Sequence, residues 1–171
     1  VYDWGGSGYG AGWWQQVTHV LLSCYVATGF AVAGLHAWLL LREPGSRFHR
    51  AALGIALGVG GAAALLQPIS GDLSARNVAM EQPLKLAALE GQFRTERGAP
   101  LRIGGLPDVE RGETRWAIEI PKALSLLAFH DPDAEVKGLE AFPRETWPNT
   151  RNVHVAFQVM VGLGTFLAAV A

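Results

Sequence analysis

Residues 15–41 read QQVTHVLLSCYVATGFAVAGLHAWLLL, a run without a charged side chain that stops at Arg42. An α-helix rises about 1.5 Å per residue and a hydrocarbon core is roughly 30 Å thick, so about 20 apolar residues cross it and this run has length to spare. The stretch is expected to be a transmembrane helix. Near its start stands His19. An ionisable group inside a membrane span is costly without a partner, which makes it a functional candidate in its own right.

The rest of the chain divides into the same two phases. Half of the 171 residues are hydrophobic and 17% are charged, too apolar for an ordinary soluble domain. Most of the charged residues fall between Gly71 and Arg151, and the flanking segments carry few. A net charge of −1 without a clustered basic face excludes a nucleic-acid footprint. The single cysteine, Cys24, allows no disulfide framework and reads as a small packing residue. The chain opens on VYDWGGSGYGAG without the basic n-region of a signal peptide, and it closes inside the apolar run LGTFLAAVA. It is therefore expected to be an internal piece of a longer membrane protein.

Taken in order, residues 1–14 form an outer-face lead-in, with Trp13 and Trp14 suited to an interfacial belt. The first span covers 15–41. Residues 42–50 make a turn with Pro44-Gly45 and three arginines, Arg42, Arg47 and Arg50, which places it in the cytoplasm. A second span over 51–70 carries Gly54 and Gly58 as a GxxxG pair for close helix contact and is expected to end at Gln67-Pro68. Residues 71–151 then form an outer-face connection too long to be a passive turn. Within it Pro83 is placed to open a helix through LKLAALEGQF, and Pro121 a second short helix through KALSLLAF. The remainder reads as ordered loop. A third span over 152–171 returns from outside to inside. The fold class is an all-α membrane protein, a three-span bundle with a long extracytoplasmic loop containing short helices.

This topology brings two donors to one depth. His19 lies a few residues below Trp14, and Met160 about two turns below Asn152, both entering from the outer face. An imidazole and a thioether on separate spans form an axial set for a low-spin haem. Gly29 and Gly34 after His19, and Gly162 and Gly164 after Met160, would let a flat macrocycle approach. The bland alternatives are a histidine that hydrogen-bonds a neighbouring helix and a methionine that fills space. His36 opens a further alternative, a bis-histidine cytochrome, yet it lies roughly 25 Å along the helix from His19, at the inner rim. His49 and His130 read as solvated. His154, near the start of the third span, is a competing ligand.

Residues 82–93, QPLKLAALEGQF, resemble the quinol-binding loop of subunit I of cytochrome bd-type quinol oxidases. The order of other motifs is similar to that family as well: THVLLSCYVATGFAVAG, the Arg-rich hairpin, Gly71-Asp72, GLPD at 105–108, AIEIPKAL at 117–124 and MVGLG at 160–164. The resemblance implies that His19 and Met160 are the axial ligands of the low-spin haem b558. It implies that Lys85 and Glu90 lie at the site of quinol oxidation, and that Glu113, in RGETRW, is a further acidic position tied to turnover. One departure is Gln158, where some members carry an arginine two residues before the ligand methionine, and it brings into question a charge pairing with a haem propionate there. The high-spin haem b and haem d of the family use ligands outside this stretch. Expected partners are subunit II, a small accessory subunit, quinol and membrane lipid, in a bacterial inner membrane.

Quinol oxidation releases two electrons and two protons, so it needs a base for the hydroxyls and a nearby electron acceptor. A partly buried carboxylate such as Glu90 suits the first task, and Lys85 suits stabilisation of a quinolate. Five residues apart on a helix, the two do not face each other, and Glu81 is better placed for Lys85. The expected function is quinol oxidation and electron transfer through a low-spin haem in a terminal oxidase that reduces oxygen to water and contributes to a proton gradient. The alternatives are a membrane b-type cytochrome that only relays electrons and a non-redox transporter fragment.

Overall fold

The computed structural model describes residues 12–171, so most of the expected lead-in segment lies outside the described residues. The helices in chain order are α1 (Gly12–Arg42), α2 (Arg47–Glu81), α3 (Pro83–Glu90), α4 (Ala123–Phe129) and α5 (Thr150–Val170). Among the described residues α1, α2 and α5 are long and apolar enough to cross a membrane. Many of their large apolar side chains, such as Leu21, Ile55 and Phe166, are exposed. That is the condition of helices whose surroundings are lipid or other helices rather than water.

The chain divides into two compact units, one of residues up to Ser74 with Gly164–Ala171, the other of Ala75–Leu163. In the first, Val26 of α1 is buried with Ala63 and Ala64 of α2, and Leu22, Phe30 and Leu167 pack on them. Close approach occurs at Gly29 and Gly60, where a Cβ added to Gly29 would stand 2.6 Å from the Gly60 Cα. The GxxxG pair is not the contact: a Cβ at Gly54 or Gly58 would meet nothing within 4 Å. The small residues of α1, Gly29 and the buried Ala33, select which face of the glycine-rich α2 turns toward it. Gly29 is therefore filled by a helix and is not open to a macrocycle. Gly60→Leu is expected to destabilise the helix pair by about 1–3 kcal/mol through overpacking. A lowered melting temperature of the solubilised full-length protein measures it, and an unchanged one would refute the contact.

At the turn, His36 lies at the inner end of α1 as expected, but His49 is packed against it rather than solvated. Their Nδ1 atoms lie 2.9 Å apart, one donating to the other, and the His49 side chain is only 17% exposed. Phe48 packs edge-on against both rings.

The second helix also departs from expectation. It passes through Pro68 and continues to Glu81 instead of ending at Gln67-Pro68. Proline removes one backbone donor and costs about 3 kcal/mol in an isolated helix interior. Here the distal turns have a tertiary reason to persist. Val78 and Ala79 are buried with Leu86, Ala99, Leu124, Ala128 and Val136 in the core of the second unit.

That unit contains structure absent from the sequence reading. Three antiparallel pairs nest inside one another: β1 (Glu96–Arg97) with β6 (Glu135–Val136), β2 (Leu101–Ile103) with β5 (Ile118–Ile120), and β3 (Leu106–Asp108) with β4 (Glu113–Arg115). Strands of two or three residues are too short for an alternating pattern to announce them. The available signal was the complementary pair LRI and IEI, which places Arg102 opposite Glu119. A second core of Ala87, Ala88, Phe93 and Leu139, with Leu84, Trp147 and Val153 against it, holds the inner face of α3.

Candidate functional site

The expected quinol-loop helix forms as α3. Pro83 occupies its first turn, where a missing N–H costs nothing, and Leu86, Ala87, Ala88 and Glu90 are its buried residues. Gly91 ends it in the left-handed conformation (φ 62°), with its N–H returning to the Ala87 carbonyl. Glycine is required here twice over, because an added Cβ would also stand 2.6 Å from Thr114 Oγ1. That hydroxyl donates to the Gly91 carbonyl at 2.8 Å and ties the helix end to β4. Gly91→Ala is expected to cost about 1–2 kcal/mol from backbone strain alone. Accelerated proteolysis within the loop of the full-length protein measures it; wild-type resistance would refute the strain.

Glu90 is only 6% exposed, and its Oε2 has no hydrogen-bond partner among the described residues. Burial pushes its carboxyl up to about 7, while the Arg102 guanidinium works against that rise. Arg102 does not neutralise Glu90, because it is already committed. It donates through Nε to Glu119 at 2.9 Å, it donates to the Gln92 side-chain carbonyl, and Glu96 lies 3.7 Å away. Gln92, fully buried, completes the network by donating to Glu96 at 2.6 Å and to the Arg94 carbonyl at 2.8 Å. Gln92 and Arg102 were not singled out by the sequence reading.

A pocket of about 380 Å³ opens beside this network, lined by Gly91, Arg94, Arg102, Arg111, Glu113 and Thr114 among others. Glu113 is therefore brought to the same pocket as Arg102, whereas Glu90 lies behind Gly91 and does not line it. Nor does Lys85. It is exposed on α3, whereas Glu90 is buried, and no Glu81–Lys85 ion pair forms among the described residues.

His154 is not a competing ligand. It is fully buried, with Nδ1 2.7 Å from the Leu89 carbonyl oxygen and Nε2 3.0 Å from that of Gly104, so both ring nitrogens face backbone and an N–H on either one donates to a carbonyl.

His19 belongs to the first unit and Met160 to the second. The His19 ring is half-buried, and its Nδ1 stands 3.2 Å from Ser70 Oγ. Gln67 Nε2 lies 3.3 Å from the His19 Nε2 and donates to Ser23 Oγ at 2.6 Å; Ser23 in turn donates to the His19 carbonyl. With a proton on Nδ1 directed at Ser70, the lone pair on Nε2 faces the Gln67 amide, which an iron at that atom would have to displace. Gln67 Oε1 is buried without a partner among the described residues, so the polar cluster is incomplete around the ring. Gly71 keeps the space beside His19 Cε1 narrow but open, with an added Cβ at 3.5 Å. Met160 is 54% exposed, and Gly162 and Gly164 on the same helix face open space. Taken singly, an imidazole in a polar cluster and an exposed thioether are donor types that haem iron takes. The supporting residues Ser23, Gln67 and Ser70 were visible in the sequence only as polar side chains inside apolar spans.

Comparison with known proteins gives the family to which the chain belongs. The family described as cytochrome bd terminal oxidase subunit I matches residues 3–171. The chain is 46% identical over 153 residues to a putative cytochrome bd menaquinol oxidase subunit I of Bacillus subtilis (strain 168), covering 87% of this chain and 34% of that protein. It is 34% identical over 148 residues to the cytochrome bd-II ubiquinol oxidase subunit 1 of Escherichia coli (strain K12), covering 85% of this chain and 28% of that one. The bd oxidase structure from Geobacillus thermodenitrificans superposes with a TM-score of 0.81 at 38% identity, over 91% of this chain and 36% of the other. The chain thus spans about a third of the length of the relatives it matches. With three membrane-capable helices and a family match along nearly its whole length, the chain belongs to the cytochrome bd terminal oxidase subunit I family.

Proposed function

We propose that this chain forms the quinol-oxidising and low-spin haem region of a terminal oxidase that uses quinol to reduce oxygen to water. The observation that carries the reading is Glu90: a buried carboxyl pushed up to about 7, unpaired at Oε2, one residue before Gly91 of a charged pocket that Arg102 and Glu113 line. A base poised near the working pH accepts a proton without holding it irreversibly. Glu90 takes the proton of the quinol hydroxyl, and the committed guanidinium of Arg102 moderates the cost of its ionisation. Glu113, exposed at the pocket wall, passes protons to outer water. Lys85, exposed on α3, acts from the surface by attracting the substrate's developing negative charge.

His19 and Met160 would hold the low-spin haem b558, with Ser70 beside His19 Nδ1 orienting the ring, and the bound haem would supply one-electron acceptance. The high-spin haem b and haem d are held by residues outside this chain. Subunit II and a small accessory subunit complete the assembly. The loop faces the outside of a bacterial cytoplasmic membrane, so its protons are released there and contribute to the gradient.

The test is oxygen uptake by the full-length protein with quinol as donor, measured with the reduced haem spectrum. Both are expected. A b-type spectrum without oxygen uptake would make the protein an electron relay, and absence of any haem band would remove the redox reading.

A further inference from the structure

Two side chains one turn apart on α5, His154 and Gln158, reach the loop backbone. Gln158 donates through Nε2 to the Arg102 carbonyl at 2.9 Å, and its Oε1 accepts from the Gly104 N–H at 3.1 Å. His154 meets the Gly104 carbonyl with Nε2 and the Leu89 carbonyl, next to Glu90, with Nδ1. The strand so held is three residues long, and positive φ values at Gly104 and Gly105 follow it. Such a segment has little preference of its own for one conformation.

We propose that His154 and Gln158 are positioning residues for quinol oxidation: from α5 they hold the Arg102 strand against the end of α3 and so determine which charge Glu90 meets. The proposal rests on the assignment of Glu90 as the base. It also gives the Gln158 departure a role. An amide both donates and accepts, as the two backbone groups require, whereas an arginine has donors only and leaves the Gly104 N–H unpaired. The charges concerned are Arg102 from β2, which opposes the burial of Glu90, and Glu96 and Glu119, from β1 and β5, which sit on Arg102. Arg94, Arg111 and Glu113 line the adjoining pocket.

The experiment uses the assembled oxidase with a soluble short-chain quinol, comparing wild type with Gln158→Leu, Gln158→Arg, Arg102→Leu and the Arg102→Leu/Gln158→Leu double variant. Once Arg102 is displaced, burial acts on Glu90 unopposed. The acidic limb of the kcat/KM profile, which reports the free enzyme, is then expected to move up by about one pH unit in Gln158→Leu and Arg102→Leu alike. The double variant is expected to move no further, because both changes act through one guanidinium. In Gln158→Arg, hydrogen exchange at the Gly104 amide is expected to quicken at least tenfold.

An unmoved limb in Gln158→Leu at normal haem content, or shifts that add in the double variant, would overturn the proposal, as would unchanged exchange at Gly104. Full turnover by Glu90→Gln instead removes the assignment of the base, and is recognisable because exchange at Gly104 still responds to Gln158→Arg.

Discussion

Glu90→Gln in the full-length protein is expected to keep its haem spectrum and to lose quinol turnover by at least about a hundredfold, the lower range for removing a positioned general base. The amide matches the carboxyl in shape and accepts no proton, so the loss isolates proton transfer from packing. The same substitution has an opposite signature in stability. The folded carboxyl titrates at about 7, against an ordinary 4.5, so folding favours the proton on Glu90. That contribution is complete below the ordinary value and is lost as pH rises through about 7, where the buried group must ionise. At pH near 8 Glu90→Gln is therefore expected to be more stable than wild type, by on the order of 1–3 kcal/mol, and near pH 5 to show no such gain. Thermal unfolding of the two proteins across this range measures the difference. Undiminished quinol oxidation by the amide variant would take Glu90 out of the mechanism.

His19→Ala and Met160→Leu are each expected to abolish the low-spin b-type band in the reduced-minus-oxidised spectrum of the full-length protein. The two differ in what remains. Alanine at 19 removes the imidazole and also strips Ser70 Oγ and Gln67 Nε2 of their partner on the ring, leaving polar groups to compete for one another. Leucine at 160 keeps the volume of a half-exposed side chain and deletes only the sulfur. Met160→Leu is thus expected to assemble at near wild-type levels with the spectral change alone, whereas His19→Ala also lowers assembly. Haem content per protein, measured beside the spectrum, separates ligand loss from misfolding. A low-spin band that survives Met160→Leu would assign the sixth ligand to another residue.

The two halves of this reading were not equally visible. The spans were legible because a membrane segment is a long-range average, and a run such as 15–41 has no alternative reading at that length. The α3 helix was legible for a local reason, a proline to start it and a glycine to stop it. His154 was misjudged because a histidine's role depends on what its two nitrogens meet, and the Leu89 and Gly104 carbonyls are 65 and 50 residues away in the chain. Arg102 went unnoticed for the same reason: its importance lies in Glu90, Gln92, Glu96 and Glu119, brought to it from four separate positions.

Residue order alone determined that this chain lives in a membrane, where its apolar runs stop, and which carboxylates and donors it can offer. Tertiary structure decided which carboxylate is buried and which lysine is left in solvent, how far α2 runs past Pro68, and which pair of glycines brings α1 and α2 together. Hydrophobicity is carried by each residue and adds up along the chain, whereas burial, hydrogen-bond satisfaction and the proton affinity of Glu90 exist only once distant segments share one place.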